Sequence, residues 1–108
     1  MDEPHYLELA ESTFKSIEAA LDAADAEDVD CERAGDVLTL TFKDNRRCVL
    51  NTQRPTRQLW LAANARAWHF SYDEAAAKWL DDKGKGEELF STLAGIIKAQ
   101  AGVDVRLG

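Results

Sequence analysis

The chain has 108 residues, 45% of them hydrophobic and 31% charged, with a net charge of −7; that is enough for one compact domain over residues 1–108 and too few for two. No run approaches the roughly 18 consecutive apolar residues of a membrane-spanning helix, and Met1 to Tyr6 lacks the basic segment of a secretory signal, so a cytoplasmic protein is expected. Cys31 and Cys48 do not form a Cys-x-x-Cys spacing, which argues against a zinc or redox motif, and both are read as packed free thiols.

The charge is unevenly distributed. Residues 1–32 hold eleven acids against one base, Lys15, a net −10, whereas residues 33–108 hold nine acids and twelve bases, a net +3. One end of the molecule is therefore a concentrated anionic surface. It repels nucleic acid and anionic membranes and attracts cations or a basic protein.

From Tyr6 to about Ala24, Leu7, Ala10, Phe14, Ile17 and Leu21 recur at steps of three and four, the period of an amphipathic helix. Glu8, Glu11, Lys15, Glu18, Asp22 and Asp25 repeat that spacing one residue along, roughly 100° around the axis. They form a carboxylate ridge interrupted once. Like charges at i and i+4 cost a helix a few tenths of a kcal/mol each, and acids near its C-terminal end oppose the macrodipole.

Val29 to Arg33 reads as a short strand with Val29 and Cys31 on one face and Asp28, Asp30 and Glu32 on the other. Strands follow at Asp36–Phe42 and Arg47–Asn51, joined by a Lys43–Arg46 turn in which Asn45 can take a left-handed conformation. Arg57–Ala63, Ala67–Ser71 and Ala77–Leu80 add three more, the last with Trp79 as a packing residue. Glu87 and Glu88 are expected in the first turn of a second helix, with Leu89, Phe90, Leu93, Ile96 and Ile97 on its buried face and Gly102 at its end. Val103–Leu107 forms a last short strand or tail.

Each helix has one apolar stripe, so both pack on one face of one sheet. The expected fold is α+β, a two-layer α/β sandwich with N- and C-terminal helices on an antiparallel sheet of about five to seven strands. From Arg57 to Ala63 polar and apolar residues alternate, which sends Leu59 and Leu61 to the core and Trp60 outward beside Gln58, with Asn51 and Gln53 upstream of the turn that Pro55 initiates. Trp60 is then either a half-covered sheet residue or part of a partner surface.

The acids also carry two readings, a solvated face or a cation site. A carboxylate cluster with little histidine or cysteine suits hard ions such as iron, manganese, calcium or magnesium, bound weakly and partly through water. Catalysis finds little support: no Glu-x-x-His pair, Gly-x-Ser-x-Gly or phosphate loop occurs. His5 lies at the N-terminal end, and His69, between Trp68 and Phe70, is read as a structural strand residue. The chain reads as a binding module rather than an enzyme.

The stretch Asn51-x-Gln53-x-Pro55-x-x-Gln58-Leu59-Trp60-Leu61-Ala62, followed by Trp68-His69-Phe70, resembles the signature of the frataxin family in its bacterial form. The acidic first helix, the Asp30-Cys31-Glu32 strand and the closing helix follow in the family's order. The family usually has Gly-Gly where this chain has Arg66 and Ala67, so a positive φ at either would be strained.

The resemblance implies a role in iron-sulfur cluster assembly. It implies iron, Fe2+ or Fe3+, held weakly at Glu11, Glu18, Asp22, Asp25, Glu27, Asp28, Asp30 and Glu32, with other divalent cations able to substitute. It further implies docking on a cysteine desulfurase and iron-sulfur scaffold protein through Glu18, Asp22 and Asp25, with Asn51, Gln53, Gln58 and Trp60 as a second contact area. The monomer, with iron-dependent oligomers as a variant, would act as an iron-responsive regulator. Two alternatives stand beside this: an iron donor or store with weak ferroxidase activity, and a metal-independent acidic interaction domain.

Overall fold

A computed structural model describes residues 1–24, 27–83 and 86–107. Helix α1 runs over Glu3–Ala23, three residues earlier than the apolar stripe suggested. The cause is local: the Asp2 carboxylate accepts from the His5 N–H at 3.0 Å, and Pro4 sits in the first turn, where its missing N–H costs nothing. Tyr6, Ala10, Phe14, Ile17 and Leu21 are buried along one side.

Six strands follow: β1 Val29–Ala34, β2 Val37–Phe42, β3 Arg47–Gln53, β4 Gln58–Ala63, β5 Arg66–Asp73 and β6 Lys78–Asp81. They form one antiparallel sheet in sequence order, β1-β2-β3-β4-β5-β6. Helix α2, Leu89–Ala101, closes the α+β fold by packing beside α1 on the same face. Glu87 and Glu88 are not in its first turn, as expected, but precede it. Glu88 is the N-cap, its carboxylate accepting from the Phe90 and Ser91 N–H groups at 2.7 and 3.1 Å. Gly102, at φ 68°, ends the helix in the left-handed conformation.

Val103–Leu107 is not a strand. It is an extended tail whose Val103, Val105 and Leu107 lie against the core's edge.

Pairing register aligns the buried side chains across the sheet, as in the row Leu38, Leu50, Leu61, Trp68. Two polar links fasten α1 to this layer. The Tyr6 hydroxyl donates to the Gln58 carbonyl at 2.6 Å and accepts from the Gln53 N–H at 3.1 Å, tying the β3–β4 connection to the helix. At the far edge of the sheet the Trp79 indole N–H donates to Thr13 Oγ1 at 3.0 Å, and Thr13 in turn donates to the Leu9 carbonyl.

Neither Arg66 nor Ala67 sits at positive φ; both belong to β5. The β4–β5 turn places Asn64 and Ala65 there instead, at φ 52° and 61°. Two successive left-handed residues give the tight hairpin that matches strand twist. Asparagine tolerates this conformation, whereas Ala65 occupies it at an energetic cost.

Candidate acidic surface and open sheet face

On α1 the acids stand one residue along from the buried stripe, on the flank facing β1. Alternation in β1 sends Asp30 and Glu32 to solvent and turns Cys31 and Arg33 toward the helix. Helix end and strand start thus bound a cleft of about 350 Å³ lined by Glu18, Leu21, Asp22, Glu27, Val29, Asp30 and Cys31. Four of the eight predicted ligands, Glu18, Asp22, Glu27 and Asp30, meet there.

The other four are placed differently. Glu11 lies a helical turn and more away and is held by Arg33, whose Nη1 and Nη2 donate to its two carboxylate oxygens at 2.5 and 2.6 Å. Those bonds hold the Glu11 carboxyl below the usual carboxylate range. Asp28 is exposed, with Lys43 Nζ at 3.9 Å, and Glu32 points out from the sheet opposite Thr39. Asp25 lies outside the described residues. Among the described residues no three His, Cys, Asp or Glu side chains converge in a ready-made metal cluster.

The ridge read from sequence as interrupted once, by Lys15, therefore holds a second cation. Arg33 also comes within 3.7 Å of Glu18, and its guanidinium lies 4.9 Å from the Phe14 ring centroid. The thiol of Cys31, in the cleft wall, is pushed up to about 11 by burial and by the Glu18 charge. It stays a neutral thiol at neutral pH, so the cleft offers only oxygen anions, the donors of hard cations.

Among the described residues, no helix packs on the opposite face of the sheet. Register sets Ala34, Val37, Asn51, Trp60 and His69 in one row and Gln53, Gln58 and Ser71 in the next. Trp60 is half-buried: its ring stacks on His69, centroids 4.1 Å apart and planes 17° from parallel, and its indole N–H donates to Gln58 Oε1 at 2.9 Å. Gln58 Nε2 donates to Ser71 Oγ and Asp82 Oδ2, both at 3.1 Å. Gln53 Nε2 donates to Asn51 Oδ1 at 3.4 Å.

All four residues expected on this face are on it. His69, read as a structural strand residue, lies in β5 and is also the tryptophan's stacking partner, and Asp82 completes the network with Oδ2 3.8 Å from His69 Nδ1. The signal for His69 was available: two inward aromatics flank it, and it is as far from the Asn64–Ala65 turn as Trp60 is.

A helix pair on one face of a six-stranded meander, with an acidic first helix and a tryptophan on the bare face, defines a frataxin-type protein. Residues 1–103 match the Frataxin-like domain, and the chain belongs to the frataxin family. It is 41% identical to the iron-sulfur cluster assembly protein CyaY of Cupriavidus metallidurans, over 99% of this chain and 96% of that one. With the protein of the same name from Delftia acidovorans the identity is 37%, covering 95% and 94%. The frataxin of Psychromonas ingrahamii superposes with a TM-score of 0.90 at 31% identity, covering 97% of this chain and 96% of that one.

Proposed function

We propose that this chain is an iron-binding protein of iron-sulfur cluster assembly. It docks the acidic surface on a basic patch of a cysteine desulfurase, near the scaffold protein, and regulates cluster formation in response to iron. The observation that carries this is the meeting of Glu18, Asp22, Glu27 and Asp30 around one cleft, in a chain whose relatives bear the cluster-assembly name.

Ferrous or ferric iron, or another hard divalent ion, would be held there weakly and partly through water. Metal and partner neutralise the same charge, so their binding is coupled. The chain acts as a binding module and not as an enzyme, as a monomer in the cytoplasm; among the described residues no helix is long and apolar enough to cross a membrane. The bare sheet face around Trp60 supplies the second contact.

The test is a desulfurase and cluster-assembly assay titrated with this protein, with and without ferrous iron, using the wild type and the charge reversals Glu18→Lys and Asp22→Lys. Both reversals are expected to weaken iron and desulfurase binding together; unchanged affinity for both refutes the acidic surface.

A second reading, a metal-independent acidic interaction domain, draws on Arg33, which already seats a guanidinium on the ridge. Partner binding that is salt-sensitive yet indifferent to iron favours it. Iron-dependent oligomers with catalysed oxygen consumption favour a donor or store instead.

A further inference from the structure

We propose that the groove along the outer flank of α2, between Trp68 and the Asn64 turn, is a docking site for an acidic segment of a partner protein that carries one apolar side chain. This goes beyond the function given above and does not depend on it, since no residue of α1 lines the groove.

Two hollows that meet at Asn64 make up the groove. One, of about 500 Å³, runs between α2 and the start of β5, with Trp68 and Ile96 in its floor. The other, of about 590 Å³, lies where the β2–β3 turn, the β4–β5 turn and the end of α2 come together, lined by Arg46, Arg47, Asn64 and Gln100. Gln100 holds the junction: its Nε2 donates to Asn64 Oδ1 at 3.1 Å, and its Oε1 accepts from Arg46 Nη1 at 3.5 Å.

The floor is apolar and fixed. Trp68 and Ile96 are 5% and 8% exposed, and the Trp68 indole N–H donates to Glu87 Oε2 at 2.7 Å. Arg66 covers the same ring, its guanidinium carbon 4.5 Å from the centroid. That arginine stands where the frataxin family usually has glycine, so this wall of the groove belongs to this chain. Above the floor α2 carries Gly95. A Cβ there would meet no atom within 4 Å, which leaves room at that point for a ligand's side chain.

Charge gives the groove a direction. At the N-terminal end of α2 both acids are engaged: Glu87 by Trp68 and by Arg66 at 3.9 Å, and Glu88 as the helix cap. At the other end stand Arg46 and Arg47. Arg46 is paired with Asp44 at 3.2 Å, whereas Arg47, exposed at the start of β3, pairs with no carboxylate among the described residues. In a chain of net charge −7 this corner is a cationic island. Physiological salt screens charges over about 8 Å, so a ligand seated here senses these arginines more than the distant acids. From Glu88 to Gln100 the helix rises about 18 Å. Over that length a short segment would lay its apolar side chain at Gly95 and its carboxylates at Arg46 and Arg47, an apolar centre with a charged rim.

The test titrates the intact, isotope-labelled protein with a blocked synthetic peptide in which glutamates surround a single leucine, and with its counterpart carrying lysines for the glutamates. The acidic peptide should shift the Trp68 indole N–H signal and the backbone N–H signals of Arg47, Asn64 and Gly95; the basic one should leave these four in place. Arg47→Gln should weaken binding of the acidic peptide about fivefold, the scale of one exposed ion pair. Gly95→Leu fills the groove and should weaken it by about tenfold or more. The same change should raise the urea midpoint, because leucine suits an exposed helix position better than glycine. A gain in stability alongside a loss of binding separates blocked access from damage to the fold.

If Gly95→Leu does not fold, Arg47→Gln, at an exposed position, is read in its place. Equal shifts of these signals with both peptides, no shift at millimolar acidic peptide, or undiminished binding by the variant overturns the proposal and leaves the acidic-surface reading untouched. Dimerisation of the free protein that Gly95→Leu abolishes, measured by sedimentation, would seat a second copy in the groove and overturn the assignment to a partner segment.

Discussion

Trp60 and His69 are cross-strand partners on the bare face of the sheet, with rings stacked 4.1 Å apart. Stacking holds the indole flat, and its N–H is satisfied by Gln58, so what the face presents is a rigid aromatic surface framed by amides. Rigid aromatics framed by polar groups carry much of the affinity in protein interfaces. Trp60→Ala should therefore cost about 1 kcal/mol or somewhat more in folding stability, the scale of one aromatic pair plus partial burial. Its effect on complex formation should be larger, about 2 kcal/mol or roughly thirtyfold in Kd. Urea unfolding and calorimetric titration with a desulfurase–scaffold complex measure the two separately. Equal affinity for variant and wild type would remove this face from the interface.

Tyr6→Phe is expected to destabilise by about 1–3 kcal/mol, because the hydroxyl is the shared partner of the Gln53 N–H and the Gln58 carbonyl and both are left unsatisfied without it. The same group gives a pH signature. Burial raises the Tyr6 pKa above its ordinary value of 10.0, outweighing the Gln53 hydrogen bond and the Arg54 and Arg57 charges, which lower it. The folded protein then keeps the phenolic proton at a pH where the unfolded chain has released it. Its contribution is complete below about pH 10 and is lost as pH rises through the raised value. Urea midpoints between pH 8 and 11 should fall more steeply for the wild type than for the variant; parallel slopes would contradict this.

Ala65→Gly should stabilise the protein by about 0.5–1 kcal/mol. Alanine at φ 61° bears a left-handed penalty of about 1–2 kcal/mol, and glycine removes it while adding back about 0.4–1 kcal/mol of unfolded-chain entropy. Thermal and urea unfolding both report the gain. The same change at Ala67, which lies within β5, should destabilise instead, since a strand interior disfavours glycine.

The turn shows how far sequence could reach. Alternation from Gln58 to Ala63 and around His69 was legible as two strands with known faces, yet the position of the strained residue depended on the hairpin register, which the Arg66–Ala67 substitution did not reveal. The two helices were legible from their apolar spacing, and their ends were displaced by the Asp2 and Glu88 caps. The site was legible as a composition and not as an arrangement. Nothing local marks Arg33 as the partner of Glu11, 22 residues earlier, because their meeting depends on β1 lying under the acidic flank of α1. Asp82 was missed for a similar reason: it follows β6 and reaches the open face only because its N–H bonds back to the His69 carbonyl at 2.9 Å.

Crowded carboxylates also make a prediction about stability. Asp22, Glu27 and Asp30 share a cleft wall with Glu18, and repulsion between like charges there opposes folding. Replacing the three with Asn, Gln and Asn should therefore raise stability slightly in metal-free buffer. A divalent cation that binds the folded cleft and not the unfolded chain should do the same for the wild type, by RT ln(1 + [L]/Kd), about 1.4 kcal/mol at tenfold excess over Kd. The two effects must not add, because the variant has lost the site. Thermal unfolding with and without Mn2+, at matched ionic strength, tests this crossing: the variant should start higher and stay flat while the wild type rises to meet or pass it. An equal rise in both would assign the metal effect to general screening of the anionic end and not to the cleft.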